Sequence, residues 1–139
     1  MITNKRIAWI TGGGTGIGKE LAILLAKKNW LVVISGRRLE KLREVENHDK
    51  ENIRSVKLDI TNISECKLAI EKIVKKFGYI DLAVLNAASY SPGKIDFNAI
   101  SKINGVIEVN LMGQINCISA ILPFMRKKKS GHILVVSSP

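Results

Sequence analysis

The run Thr11-Gly12-Gly13-Gly14-Thr15-Gly16-Ile17-Gly18 stands between an apolar, strand-like stretch, Ile7-Ala8-Trp9-Ile10, and a segment whose apolar residues recur at helical spacing. Glycines at such a junction let the backbone turn sharply and pass close to a bound group. The free N–H groups at the helix start, with the positive end of its dipole, favour an anion. A phosphate-bearing ligand is therefore the first expectation. The spacing is Gly12-x-x-x-Gly16-x-Gly18, which differs from the G-x-G-x-x-G of many dinucleotide sites. On its own it also describes a tight strand-to-helix turn with no ligand.

Downstream, short apolar runs alternate with helical patterns. Arg6 to Thr11 reads as a buried strand, and Gly16 to Lys28 as a helix carrying Ile17, Leu21, Leu24 and Leu25 on one side. Leu31 to Ser35 is a second strand, followed by a helix from about Leu39 with Leu42 and Val45, then a polar turn from Glu46 to Asn52. Ile53 to Leu58 is a third strand. Asn62 with Glu65 forms a capping box that opens a helix through Phe77, closed by Gly78. Ile80 to Leu85 is a fourth strand, Ala87 to Lys94 a loop, and Ile133 to Val136 a fifth strand. Between them, Phe97 to Lys128 is helical. It reads as two pieces meeting near Asn104-Gly105, with Pro123 bending the second.

Strands rich in Val, Ile and Leu on both faces imply a parallel sheet covered on each side. The right-handed crossover rule then predicts an α/β, doubly wound, Rossmann-type fold. It forms one domain over residues 1–139, incomplete after the fifth strand.

The composition, 46% hydrophobic and 24% charged, suits such a domain. The net charge of +10 would suit a polyanion. The basic residues are dispersed, however, apart from Arg126-Lys127-Lys128-Lys129 at a helix end, and aromatics make up only 5%. Nucleic-acid binding is not expected. No continuous apolar run approaches the roughly 18 residues of a membrane helix, and no secretory leader is evident. Cys66 and Cys117 lack metal-ligand spacing and read as small core residues of a reduced compartment, with the cytoplasm the expected location. No metal site is expected.

Five motifs occur in order: Thr11-Gly12-x-x-x-Gly16-Ile17-Gly18, Leu58-Asp59-Ile60-Thr61, Asn86-Ala87-Ala88, Val109-Asn110-Leu111-Met112-Gly113 and Val136-Ser137-Ser138. On these, the chain resembles the N-terminal half or more of the short-chain dehydrogenase/reductase family, which binds NAD(P) and interconverts carbonyls and alcohols. The resemblance implies that Gly12, Gly14, Thr15, Gly16, Ile17 and Gly18 admit the cofactor's pyrophosphate. It places Asp59 at the adenine amino group, and counts Ile60, Asn86, Ala87 and Ala88 among the residues beside the cofactor. Ala88 stands where the family usually has glycine. Asp59 read without a ligand is a cap or turn residue, and Asn86 a strand-end amide satisfying its own hydrogen bonds.

After the second strand stands Gly36-Arg37-Arg38, with no acid before Glu40. A carboxylate there suits NAD and an arginine suits the extra phosphate of NADP, so NADP is expected over NAD, with Arg37 before Arg38 as its partner. Two solvated arginines are the alternative. The resemblance gives Asn110 a water of the proton relay and gives Ser138 the substrate oxygen. Ser137 would serve only if the register were shifted by one.

In the family a Tyr-x-x-x-Lys pair follows this serine by about a dozen residues. No such pair follows Ser138 in these 139 residues, and Tyr90-Ser91-Pro92-Gly93-Lys94 has the letters at the wrong place, with Pro92 and Gly93 opposing a helix. The expectation is an NADP(H)-dependent oxidoreductase acting on a small carbonyl or alcohol, oligomeric at full length, of which this chain is a fragment. A non-catalytic NADP(H)-binding module is the alternative.

Overall fold

The computed structural model describes residues 3–94 and 98–138. In chain order these form β1 (Ile7–Thr11), α1 (Gly16–Lys27), β2 (Leu31–Gly36), α2 (Leu39–Glu46), β3 (Ile53–Lys57), α3 (Ile63–Phe77) and β4 (Leu82–Leu85). There follow α4 (Ile100–Ile107), a π-helical segment (Glu108–Gly113), α5 (Gln114–Lys128) and β5 (His132–Val135). All pairings are parallel and the strand order is β3-β2-β1-β4-β5, the doubly wound sheet expected from the alternating elements.

Strand alternation sorts the apolar residues into two layers. Ile7 and Trp9 of β1, Leu31 and Val33 of β2, and Ala83 and Leu85 of β4 face a cluster built with α3 and α5 through Ile70, Ile73, Cys117 and Ile121. Ala8 and Ile10, Val32 and Ile34, and Val84 face the other side, against Ala22 and Ala26 of α1 and Leu42 and Val45 of α2. Both faces of the central strands are thus dry, which is why they read as unbroken apolar runs. Trp9 is wholly buried, and its indole N–H donates to the Ser35 hydroxyl at 2.9 Å. By contrast β5, at the sheet edge, keeps Leu134 and Val135 about half exposed, at 49% and 48%.

The long helical region differs from the expectation in two ways. It runs without a break through Asn104-Gly105, and the irregularity falls at Glu108–Gly113, where the helix widens to a π turn. A Cβ added on Gly105 would meet no atom within 4 Å; an exposed glycine weakens a helix by about 1 kcal/mol without breaking it. The expected start at Phe97 lies outside the described residues, and α5 continues past Pro123 to Lys128.

The second difference concerns length and polarity. Ile100–Lys128 forms 29 residues of helix, long and apolar enough to cross a membrane. No single apolar run showed this, because Asn104, Glu108, Asn110, Gln114 and Asn116 interrupt the sequence. In the fold, Cys117, Ala120, Ile121 and Met125 of this helix pack into the core.

Candidate functional site

From β1 the chain moves to β2 on one side, and from β4 it moves to β5 on the other. Connections that part in this way leave a crevice at the C-terminal ends of the two strands. Thr11, fully buried at the end of β1, closes its floor: its hydroxyl accepts the backbone N–H groups of Asn86 at 3.0 Å and Ala87 at 3.1 Å. The Asn86 amide donates to the carbonyls of Thr11 and Gly12, both at 3.2 Å.

The glycines meet different needs. Gly12 takes φ +66°, and a Cβ on it would stand 2.9 Å from the Ala87 Cα. A Cβ on Gly18 would stand only 2.3 Å from the Gly12 carbonyl oxygen, so Gly18 is what lets α1 lie against the loop. Gly16 has φ +54° and open space around it.

At the head of α1, Thr15 is the N-cap residue but makes no side-chain capping bond, and the first turn holds no acid. The start of α3 shows the contrast. There the Asn62 side chain accepts from the Glu65 N–H at 3.1 Å, and the Glu65 carboxylate reaches the Asp59 N–H at 3.1 Å. The expected capping box is thus half present: the Glu65 carboxylate accepts from the Asp59 N–H and, at 3.4 Å, from the Asn62 side-chain amide, while the Asn62 backbone N–H donates to the Asp59 carbonyl. The amides of α1 keep no such partner, which makes that end suited to an anion.

A cavity of about 530 Å³ opens here. Its walls include Gly12, Gly14 and Thr15 from the loop, Arg37 and Arg38 after β2, Asp59 and Ile60 after β3, and Asn86, Ala87 and Ala88 after β4. Gly16, Ile17 and Gly18 do not line it; Ile17 is 66% exposed and Gly18 is spent on packing. Ser35, Gly36, Lys41, Leu42, Leu58 and Val109 also line the cavity, although none was expected as a site residue; Leu58 and Val109 only open two of the motifs, and Gly36 only precedes the arginine pair. The available signal was positional, since Ser35, Gly36 and Leu58 sit at strand ends on the ligand-binding edge.

Arg37 and Arg38 are exposed at the rim, and among the described residues neither forms an ion pair. Asp59 Oδ1 accepts from the Thr61 N–H at 3.0 Å and the Thr61 hydroxyl at 2.8 Å, an Asx turn that aims the carboxylate. The Ile60 carbonyl accepts from the Asn116 amide at 2.9 Å and the Cys66 thiol at 3.6 Å, which ties this wall to α3 and α5.

Asn110 lies within the π turn and is exposed. Its Oδ1 accepts from the Ser89 N–H at 2.7 Å, and its Nδ2 donates to the Ser89 carbonyl at 2.8 Å. Ser138 is exposed just past the end of β5, whose extension is marked by the Val136 N–H donating to Leu85 O at 3.0 Å. Neither Asn110 nor Ser138 lines the cavity. Tyr90 is 86% exposed on a loop that holds Gly93 at φ +122°, so Tyr90 and Lys94 share no helix.

Residues 6–139 match the family model described as short chain dehydrogenase. An uncharacterized oxidoreductase of Staphylococcus saprophyticus is 35% identical over 136 residues, covering 96% of this chain and 54% of the relative. A second uncharacterized oxidoreductase, from Listeria monocytogenes, is 33% identical and is covered to 57% of its length. Among solved structures, a short-chain dehydrogenase from Streptomyces avermitilis superposes with a TM-score of 0.89 at 22% identity, over 99% of this chain and 50% of that one. A 3-ketoacyl-ACP reductase from Sinorhizobium meliloti gives 0.85 at 30% identity, over 95% and 53%. The chain therefore spans little more than half the length of these relatives. With a doubly wound sheet, a glycine loop at its switch point and a family match over nearly all its residues, the chain belongs to the short-chain dehydrogenase family.

Proposed function

We propose that this chain is the NADP(H)-binding part of an oxidoreductase acting on a small carbonyl or secondary alcohol. The observation that carries the reading is that Arg37 and Arg38, at the rim of the cavity, form no ion pair among the described residues, with no carboxylate at the end of β2. Two cations at a helix start oppose its dipole, and a phosphate between them would remove the conflict.

The site fits such a cofactor. The uncapped amides of α1 and the open space at Gly16 would hold the diphosphate, Asp59 and Ile60 would flank the adenine, and Asn86, Ala87 and Ala88 would form the opposite wall. When bound, the nicotinamide supplies or accepts the hydride. Ser138 is assigned to the substrate oxygen, where a hydroxyl donor stabilises developing charge. Asn110 is assigned a positioning role, because its side chain is committed to Ser89 and fixes the loop after β4.

The chain is read as part of a longer protein that carries the proton-transfer pair. Relatives about twice as long and the half-exposed Leu134 and Val135 of β5 support this. The exposed Ile107 of α4, Leu111 and Met112 of the π-helical segment and Ile115 of α5 support a subunit contact in that protein. Titration of NADPH and NADH into the full-length protein tests the cofactor assignment. Tighter NADPH binding is expected, and equal affinities would remove it. Loss of turnover in Ser138→Ala with NADPH binding retained would separate an enzyme from a binding module; unchanged turnover would refute the role given to Ser138.

A further inference from the structure

Lys41 stands in the first turn of α2 and lines the same cavity as Arg37 and Arg38. The base of its stem lies against the glycine loop. A Cβ added at Gly14 would lie 3.2 Å from the Lys41 Cβ, so the absence of a side chain at Gly14 lets this lysine lie over the loop. The ammonium is turned along the helix, at 3.1 and 3.0 Å from the two carboxylate oxygens of Glu44.

Three features make that pairing a weak one. Both side chains are substantially exposed, 40% for Lys41 and 61% for Glu44, so solvent screens them. The lysine precedes the glutamate along the helix, the poorer orientation for such a pair. A cation in the first turn also opposes the helix dipole, which an anion at that end would offset. The four-carbon stem lets the ammonium leave Glu44 for another acceptor on the cavity side without any change of backbone.

Resting on the NADP(H) reading, we propose that Lys41 is a third cation of the 2′-phosphate site, held in reserve by Glu44 and transferred to the phosphate when the nucleotide binds. The exchange replaces a screened surface pair by a charge-assisted bond to a dianion already flanked by Arg37 and Arg38. Glu44 then acts as a competitor: it lowers affinity for the 2′-phosphorylated cofactor and leaves the unphosphorylated one unaffected.

The test is equilibrium titration of NADPH and NADH, by nucleotide fluorescence, into the full-length wild type, Lys41→Gln and Glu44→Gln. Lys41→Gln is expected to weaken NADPH about fivefold while NADH changes by less than about twofold, and Glu44→Gln to tighten NADPH by about twofold. Circular dichroism that matches the wild type confirms that each variant is folded. Equal weakening of both nucleotides by Lys41→Gln, or no change in either, overturns the role of Lys41. Absence of any NADPH preference in the wild type overturns the NADP(H) reading itself, and the inference with it.

Discussion

Thr11 and Asn86 clasp each other across the ends of β1 and β4: the Thr11 hydroxyl accepts the Asn86 N–H at 3.0 Å, and the Asn86 amide returns a bond to the Thr11 carbonyl at 3.2 Å. The clasp ties the two strand ends together beneath the cavity, which Asn86 lines. Thr11→Val keeps the shape but leaves the N–H groups of Asn86 and Ala87 without their acceptor. An unmet donor in a sparsely hydrated place costs about 1–3 kcal/mol. Urea unfolding should show a loss of that size for Thr11→Val and a much smaller one for Thr11→Ser. A valine variant as stable as wild type would contradict the part given to the hydroxyl.

Gly16 and Gly18 should respond differently to alanine. At Gly18 the new methyl would press on the Gly12 carbonyl from 2.3 Å, a backbone atom that cannot swing aside. The expected cost is about 1–3 kcal/mol of overpacking, with displacement of the loop. At Gly16 the protein leaves room, so the stability cost of about 1–2 kcal/mol comes from the left-handed backbone, while the methyl enters the space assigned to the diphosphate. Urea unfolding of both variants checks the order; a larger stability loss for Gly16→Ala would contradict the contact assigned to Gly18.

Acid should act on the turn between α2 and β3. The Asp49 carboxylate accepts from the Asn52 side chain at 2.9 Å and from the N–H groups of Asn52 and Glu51 at 3.0 and 3.1 Å. The Asn52 side-chain bond leads in holding its carboxyl below the ordinary value of 3.8. A group shifted this way stabilises the fold while ionised, fully above the ordinary value, and the contribution is lost as pH falls through the lower folded value. Wild type should therefore exceed Asp49→Asn in stability near neutral pH, and the gap should close in acid. A gap that widens on acidification would contradict this.

Cys66 and Cys117 face each other between α3 and α5, both wholly buried. The hydrogen bond with Cys66, reinforced by burial, pushes the Cys117 thiol far above the ordinary range. Thiolate is the reactive form. Iodoacetamide at neutral pH should leave Cys117 unlabelled in the folded protein and modify it only with denaturant. Prompt native-state labelling at Cys117, followed by mass spectrometry, would contradict the packing described.

Much of this was readable from residues alone, and for identifiable reasons. The central strands declare themselves because both faces are dry, and Asn62 declares the start of α3 because its side chain caps locally. Local signals also located most of the cavity wall, since Gly12, Arg37, Asp59 and Asn86 each sit just after a strand on one sheet edge. The π turn was not readable. It has no sequence period of its own, and it forms where Asn110 reaches Ser89, 21 positions away, and where Gly113 settles against the Ile60 side chain. Lys41 was missed for a related reason: only the fold brings the first turn of α2 over Gly14. The structural work of Gly18 likewise depends on a contact across the turn, with the Gly12 carbonyl.

The most direct test of the account is calorimetric titration of NADPH into the full-length protein, beside the double variant Arg37→Gln/Arg38→Gln. Each rim arginine supplies a charge-assisted bond to the 2′-phosphate, so the double variant should bind NADPH at least about tenfold more weakly while NADH affinity hardly changes. Failure of the wild type to bind either nucleotide at millimolar concentration would contradict the claim that this crevice is a dinucleotide site.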